Sequence, residues 1–142
     1  MDFSAITDKL RNLGYKVSEF ETARDATEYL GKEIKNKTVG FGGSVTLEQM
    51  KLYEILSKSN TVYWHQRISG GASDTKIRRL ANSADIYIST VNALAKTPCA
   101  VKADKCYDCN SSQRICRGLC VLWAPPMTGE YVILLINEDL GY

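Results

Sequence analysis

The chain has 142 residues, a formal net charge of +2, and 44% hydrophobic and 24% charged residues. This length fits one domain with enough chain to bury a core, and the composition is ordinary for a globular protein. The charges are too few and too scattered to indicate a nucleic-acid or anionic-membrane surface. The longest apolar run, residues 131–136, is too short to span a bilayer. The first residues lack the features of a signal peptide, so we expect a cytoplasmic protein.

Helices and strands alternate from the first residues onward. Apolar residues spaced three and four apart predict a helix over about residues 2–14, and alternation predicts a strand over 15–20. Thr22, with Asp25 three residues later, can open a second helix. A short strand over 39–41 then enters a glycine-rich turn.

The alternation continues after this turn. Thr46 and Gln49 have the spacing of a capping box and predict a helix. Strands are predicted over 61–64 and 86–91, with a helix opened by Asp74 between them. The order α-β-α-β-α-β-α-β predicts a parallel sheet covered by helices, which is an α/β fold.

The last third of the chain loses this periodicity. Residues 95–118 are rich in turn formers and hold four of the five cysteines. Two strands follow, over 119–123 and 131–136, which we expect to form an antiparallel β-hairpin. We therefore predict an α/β core over 1–94, a cysteine-rich metal-binding segment over 95–118, and a hairpin over 119–142 that completes the same domain.

Four cysteines have the spacing of a metal site. Cys106 and Cys109 form a Cys-x2-Cys pair that can bind one metal from a single turn, with Cys99 and Cys116 at equal spacings outside it. Thiolate ligands suit a tetrahedral zinc ion or an iron–sulfur cluster, although the spacing is not that of bacterial ferredoxins. Four reduced thiols without a metal are the alternative. Cys120 starts an apolar strand, and we expect it in the core.

The glycine-rich turn, GFGGSVT at residues 40–46, has the features of an anion site. Glycines let a ligand approach the backbone, and the helix that follows offers free N–H groups. Ser44 and Thr46 add hydroxyl donors, so a phosphate, a carboxylate or a coenzyme A group is a candidate ligand. The turn matches neither G-x-G-x-x-G nor the Walker A motif, and a tight turn without a ligand is the alternative.

Four other residues have weaker signals. His65, the only histidine, follows a strand at an edge where open α/β sheets bind ligands, but a lone histidine is more often structural. Glu48 is the carboxylate nearest the turn, and on a helix it is best explained as a first-turn residue favoured by the dipole. Glu138 and its neighbour Asp139 could act as an acid/base pair, although a solvated chain end explains them as well.

Four stretches together resemble the LUD (lactate utilisation) domain family, and most closely its cysteine-bearing branch. They are GFGGSVTLEQMKLYEIL at 40–56, ADIYISTVNAL at 84–94, TPCAVKADKCYDCNSSQRICR at 97–117 and INEDLGY at 136–142. The cysteine block and the terminal stretch are the most specific of these. The resemblance covers nearly the whole chain.

The resemblance implies a three-layer α/β fold like that of the ribose-5-phosphate isomerase and CoA-transferase superfamily. In that fold the glycine turn borders the ligand cleft. Gly42, Gly43, Ser44 and Thr46 would then line the cleft for a small anionic ligand, with Asn92 nearby.

Family members with a known role take part in oxidising L-lactate to pyruvate beside iron–sulfur partner proteins. The resemblance therefore implies a binding or accessory component of lactate or other organic-acid oxidation, with a four-cysteine site for zinc or an iron–sulfur cluster. One alternative is an isomerase- or CoA-transferase-like enzyme that binds a phosphate or CoA group at the glycine turn. Another is a metal-stapled interaction domain without a small-molecule ligand. Whether the chain is itself an enzyme stays open.

The chain departs from the family pattern after residue 94. The family has a longer stretch there, with a further strand and helix, whereas residues 91–98 join the two matching blocks directly. A parallel sheet that lacks inner strands exposes edges. We therefore expect a partner chain to cover such an edge, in at least a homodimer.

Overall fold

The computed structural model describes residues 2–67, 73–91, 93–94, 101–103, 120–122 and 129–141, with the backbone alone at 93, 101–103 and 120–122. The helices in these ranges are α1 (Ser4–Asn12), α2 (Ala23–Glu33), α3 (Val45–Gln49), α4 (Leu52–Leu56) and α5 (Asp74–Asn82), with a 3-10 turn at His65–Arg67. The strands are β1 (Lys16–Phe20), β2 (Thr38–Phe41), β3 (Thr61–Trp64), β4 (Ile86–Ile88), β5 (Ala93–Leu94), β6 (Val101–Ala103), β7 (Cys120–Leu122) and β8 (Val132–Ile136). None of the helices described is long and apolar enough to cross a membrane.

The chain divides into two compact units. Of the described residues, the first contains those within 2–26, 91–103 and 120–139, and the second contains those within 27–90 and 140–141. Both units contain parallel strand pairs, so the predicted α/β class is confirmed. The likeness to the isomerase and CoA-transferase superfamily, the domain boundaries and the cysteine-rich segment stay predictions.

The first unit has a small core between α1 and a parallel pair of strands. β1 and β8 run side by side with Val17 opposite Ile133. Leu10 of α1, Tyr15, Val17 and Leu135 form the buried cluster. The ring of Tyr15 meets that of Tyr131 edge to face, with centroids 5.4 Å apart. Its hydroxyl is buried with no hydrogen-bond partner among the described residues, and burial raises the pKa of this phenol.

The predicted C-terminal β-hairpin is wrong. β8 pairs in parallel with β1, whereas β7 pairs antiparallel with β6, which also pairs with β5. The physical reason lies in the sequence VILLI at Val132–Ile136. An unbroken apolar run is typical of a parallel strand with cover on both faces, whereas a hairpin strand with one wet face alternates. Leu135 and Val17 accordingly share one buried cluster.

The second unit contains a three-stranded parallel sheet in the order β3-β2-β4. Phe41 at the end of β2 is paired with Trp64 on one side and Ile88 on the other. The Phe41 and Trp64 rings meet edge to face at 5.3 Å, and Tyr53 of α4 contacts the same indole at 6.0 Å. These aromatic contacts pack α4 against one face of the sheet.

The other face of β2 carries α5. A Cβ on Gly40 would lie 2.1 Å from the carbonyl oxygen of Ala81, so only glycine fits beneath this helix. Gly40 and Phe41 are neighbours in a strand and face opposite ways. Helices therefore cover both faces of the sheet, as a parallel sheet requires.

The helix after the glycine turn begins and ends differently from the prediction. Its N-cap is Ser44, whose Oγ accepts from the N–H of Leu47 at 3.2 Å, so the predicted Thr46–Gln49 capping box is wrong. Lys51 then adopts a left-handed conformation with φ 52°, which separates α3 from α4. Two short helices replace the single long one that the apolar pattern predicts.

The two other predicted helix starts differ in outcome. At α2 the N–H of Asp25 donates to Thr22 Oγ1 at 3.2 Å, as predicted. At α5 the N-cap is Ser73, whose Oγ accepts from the N–H of Lys76 at 3.2 Å. Asp74 is instead the first helical residue and pairs with Arg78 at 2.7 Å.

Candidate functional site

Polar residues follow each of the three strands in the second unit. β2 runs into residues 42–44, β3 into His65 and β4 into residues 89–90. Because the strands are parallel, these residues meet at one edge of the sheet, its carboxyl edge. The connection after β2 leads to β3 on one side of β2, and the connection after β3 crosses β2 to reach β4 on its other side. This order places a topological switch point at the carboxyl end of β2, where open α/β sheets bind ligands.

Gly42 lies in a narrow space between the two neighbouring strands. Its N–H donates to the carbonyl of Ile88 at 2.9 Å, and its carbonyl accepts from Trp64 Nε1 at 3.1 Å. A Cβ at this position would lie 3.0 Å from Ser89 Oγ and 3.2 Å from the Tyr87 hydroxyl. The glycine therefore lets two hydroxyl groups approach the turn.

Gly43 has the imidazole of His65 beside it. A Cβ on Gly43 would lie 3.5 Å from Cε1 and 3.6 Å from Nε2 of that ring. These are ordinary van der Waals distances, so the ring is within reach of anything bound at the turn. The histidine that the sequence singles out thus lies at the same edge as the glycines.

Ser44 is the most enclosed polar residue of the turn, with 5% of its surface exposed. Its Oγ accepts from the N–H of Leu47 at 3.2 Å and from the Thr90 hydroxyl at 3.0 Å. A hydroxyl that accepts both bonds keeps its own proton to donate elsewhere. The hydrogen-bond pattern therefore leaves Ser44 as a donor at the carboxyl edge.

The end of the chain contacts α3 beside Thr46. The N–H of Gly141 donates to Gln49 Oε1 at 2.8 Å. Gly141 has φ +91°, and a Cβ there would lie 3.1 Å from Thr46 Oγ1. The terminal stretch that the sequence marks as specific is therefore next to the glycine turn.

Arg67 carries a positive charge near this edge, and acidic side chains already share it. Its Nη2 lies 3.0 Å from Glu48 Oε1 and 3.4 Å from Glu54 Oε1, and its guanidinium lies 5.7 Å from the centre of the Trp64 ring. Glu48 is in the first turn of α3, as predicted. Because it is ion-paired, it is not the free glutamate that an isomerase- or transferase-like mechanism would need.

The structure places several predicted site residues at the carboxyl edge. Gly42, Gly43, Ser44 and Thr46 occupy the turn and the first turn of α3, and their binding role stays a prediction. Asn92 lies outside the described residues, and so do Cys99, Cys106, Cys109 and Cys116. Within the described ranges, no three His, Cys, Asp or Glu side chains are grouped to hold a metal ion.

The sequence patterns did not point to Gly141, nor to three hydroxyl groups within or directly after β4. These hydroxyl groups belong to Tyr87, Ser89 and Thr90. The rule that drew attention to His65, namely that it directly follows a parallel strand, would also have found Ser89 and Thr90. Nothing in the sequence indicates that Gly141 contacts α3.

The LUD domain family model matches residues 4–104 of the chain. A search of curated proteins found no match, and a search of solved structures found none either. The matched residues run from α1 to β6 and include every part of the carboxyl edge except Gly141. They end before three of the four clustered cysteines. Because the match covers well over half of the sequence, the chain belongs to the LUD domain family, which is associated with lactate utilisation.

Proposed function

We propose that this chain is a binding or accessory component in the oxidation of lactate or a related organic acid, and that it holds the small anion at the carboxyl edge of the β3-β2-β4 sheet. One observation carries the proposal. Hydroxyl groups and an imidazole from three parallel strands gather around two glycines at a topological switch point. The family association supplies the class of ligand.

The donors at this edge suit a short carboxylate. The Ser44 hydroxyl has a proton to give, and the hydroxyls of Tyr87 and Ser89 lie close to Gly42. Ser89 Oγ donates to the carbonyl of Thr90 at 3.4 Å, so the Ser44 hydroxyl is the donor on which the proposal depends, and the glycines leave room for a ligand beside it. The nearby cation Arg67 is shared by two carboxylates. A monoanion fits such a site better than a phosphate dianion, because charge brought out of water needs compensating charge.

The chain's part in the reaction is to bind and orient the acid, and electrons would pass to iron–sulfur partner proteins. Cys99, Cys106, Cys109 and Cys116 would hold a metal, a proposal that rests on the spacing and softness of four thiolates. A zinc ion would stabilise the fold of the cysteine-rich segment, whereas an iron–sulfur cluster would add an electron carrier.

The binding proposal is tested by titrating sodium L-lactate into the protein in a calorimeter, with two serine variants. Ser44 and Ser73 are both N-caps that accept a backbone N–H at 3.2 Å. Ser44→Ala and Ser73→Ala should each cost about 1 kcal/mol of stability. Ser44→Ala alone should weaken L-lactate binding, by roughly tenfold, which corresponds to losing one hydrogen bond of about 1.4 kcal/mol.

Two results would contradict the binding proposal. One is the absence of L-lactate binding at millimolar concentration, and the other is an equal affinity of the two serine variants. Sodium pyruvate, inorganic phosphate and coenzyme A are titrated in parallel. Tighter binding of phosphate or coenzyme A would support the isomerase- or transferase-like alternative instead.

The metal proposal is tested separately on protein purified without oxygen or chelator, by metal content and visible absorption. Cys109→Ser should abolish metal binding and lower the unfolding free energy by several kcal/mol, because the binding energy of a structural metal is folding energy. Cys120→Ser is the control, since we expect that residue in the core, and it should keep the metal. Metal-free wild-type protein would overturn the proposal.

A further inference from the structure

We infer that Gly141 is a positioning residue of the proposed anion site, because it fastens the short helix α3 from outside. This inference rests on the proposed function, since the site is the same. It gives the terminal Leu140–Gly141 stretch a part in ligand binding. The family match ends at residue 104 and does not include this stretch.

Helix α3 needs outside support because it is only five residues long. A helix of this length is unstable by itself, since the cost of starting it is spread over very few hydrogen bonds. Its end is also abrupt, because Lys51 turns into the left-handed region right after it. The position of its first turn therefore depends on bonds made to other parts of the second unit.

Two such bonds hold α3 at its opposite ends. At the start, the Thr90 hydroxyl donates to Ser44 Oγ at 3.0 Å. At the end, Gln49 Oε1 accepts from the N–H of Gly141 at 2.8 Å. The side chain of Thr46 lies close to Gly141, since a Cβ added there would be 3.1 Å from its Oγ1. Loss of the Gly141 bond should therefore loosen the hydroxyl groups that the proposed site uses.

Two features make glycine necessary at position 141. Its φ of +91° lies in the left-handed region, where other residues are strained, and a Cβ would lie 3.1 Å from Thr46 Oγ1. An alanine would thus push on Thr46 and weaken the bond to Gln49. Gly129 is a matched control, because it has the same φ of +91° but nothing within 4 Å of its Cβ position.

The experiment compares Gly141→Ala with Gly129→Ala in the full-length protein. The first readout is the dissociation constant for sodium L-lactate by calorimetry. The second is amide hydrogen exchange of residues 45–49 without ligand. We expect Gly141→Ala to bind L-lactate at least fivefold more weakly and to exchange these amides faster. Gly129→Ala should match the wild type in both, although both variants carry the same backbone strain.

A second pair of variants tests the Gln49 end of the bond. Gln49→Ala removes the acceptor and should exchange the amides of residues 45–49 as fast as Gly141→Ala does. Gln49→Glu keeps an acceptor oxygen and should restore the slow exchange of the wild type. Equal exchange in Gln49→Ala and Gln49→Glu would show that the bond from Gly141 does not hold α3 in place.

The outcomes separate this inference from the proposed function. Failure of the wild type to bind L-lactate overturns the proposed function and the inference with it. L-lactate binding that is equal in the wild type and Gly141→Ala overturns the inference alone. Unchanged exchange at residues 45–49 in Gly141→Ala also overturns it, since α3 would then not depend on Gly141.

Discussion

The carboxyl edge of the β3-β2-β4 sheet and the opposite edge, where the three strands begin and which we call the amino edge, are both polar, but their polar groups have different hydrogen-bond partners. At the amino edge, Asn60 donates through Nδ2 to the carbonyls of Ile34 and Leu56, at 2.9 and 3.0 Å. Its Oδ1 accepts from the N–H of Lys37 at 3.1 Å. All three bonds go to backbone groups near the ends of neighbouring elements. Asn60 therefore closes this edge of the fold.

Asp85 and Thr38 form a second closed group at the amino edge. Asp85 Oδ2 accepts from the N–H and from the hydroxyl of Thr38, both at 2.8 Å, and the N–H of Asp85 donates back to that hydroxyl at 2.9 Å. At the carboxyl edge, by contrast, the Thr90 hydroxyl donates to Ser44 Oγ, and the Ser44 proton is left to donate elsewhere. Gly42 is bonded through both of its backbone groups, so the Ser44 hydroxyl is what distinguishes this edge.

A shallow depression of about 540 Å³ lies at the amino edge, not at the proposed site. Asn36–Thr38, Ser57–Thr61 and Asp85 line it. The side chains of Asn60 and Asp85 in this lining are hydrogen-bonded to the backbone around them, so a ligand that used these groups would have to break those bonds. The hydrogen-bond partners of polar groups, and not the size of a depression, therefore distinguish the edge at which we propose that the ligand binds.

The most destabilising substitution should be one that disturbs the packing of α5 on the sheet, because both edges depend on that packing. Gly40→Ala places a Cβ 2.1 Å from the Ala81 carbonyl oxygen, where backbone must move. We expect a loss of about 3 kcal/mol in unfolding free energy, as for an overpacked core. Gly43→Ala is the control, because its Cβ would meet only the His65 ring at 3.5 Å. It should cost less than about 1 kcal/mol. Equal urea midpoints for the two variants would contradict the packing of α5 on Gly40.

The next effect belongs to the amino edge alone. Asn60→Ala removes three hydrogen bonds, and although the Leu56 carbonyl keeps the N–H of Ser59 at 3.2 Å, the Ile34 carbonyl loses its Asn60 donor and the Lys37 N–H its Asn60 acceptor. We expect urea unfolding to show a loss of about 2 kcal/mol, with L-lactate affinity unchanged. Lys58→Ala, at an exposed neighbour, should change stability by less than about 0.5 kcal/mol. Weaker L-lactate binding by Asn60→Ala would show that the two edges do not act separately.

Removing one threonine hydroxyl at each edge tests the two edges by the same substitution. Thr90→Val removes the hydroxyl that bonds Ser44 at 3.0 Å, and Thr38→Val removes the one that bonds Asp85 at 2.8 Å. Each should cost about 1 kcal/mol of stability. In calorimetry, Thr90→Val should weaken L-lactate binding several-fold, whereas Thr38→Val should not. If both or neither weakened binding, the assignment of the ligand to the carboxyl edge would be wrong.

The sequence was sufficient to predict the local elements up to β4 and the glycine turn, because short-range periodicity and turn residues determine them. It was not sufficient for long-range choices. The pairing of β8 with β1 joins residues more than a hundred positions apart, and no local pattern specifies such a partner. The unbroken apolar run VILLI is typical of a parallel strand, but we predicted a hairpin because this run follows β7 closely in the sequence.

The candidate site divides in the same way. Gly42 and Ser44 could be predicted because a glycine turn between strand and helix has a known use. Thr90 and Gly141 could not, since their roles depend on register and on where the chain end lies. The predicted cap was wrong because two neighbouring hydroxyl residues could each begin the helix. Ser44 is the N-cap of α3, so the Gln49 side chain is available to accept from the N–H of Gly141. The choice between such partners is made by tertiary structure.

The smallest expected effect is a pH dependence at the amino edge. The Thr38 N–H, followed by its hydroxyl, holds the pKa of Asp85 below its ordinary range. A carboxyl whose pKa is lower in the folded state stabilises fully above its unfolded pKa of about 4, and this contribution is lost as pH falls through the folded value. Wild-type stability should therefore decline more steeply below about pH 4 than that of Asp85→Asn.

The check is urea unfolding of both proteins from pH 6 to pH 2.5, with an NMR titration of the Asp85 carboxyl. The effect should be small because the carboxylate is exposed, and water screens exposed charges. Parallel pH profiles would show that Thr38 does not hold Asp85 in the charged form. L-lactate affinity at pH 6 should be equal in the two proteins, because Asp85 closes the fold at the edge opposite the ligand. A difference in L-lactate affinity would mean that a charge at the amino edge acts on the anion across the sheet. The proposal that only the carboxyl edge affects binding would then be wrong.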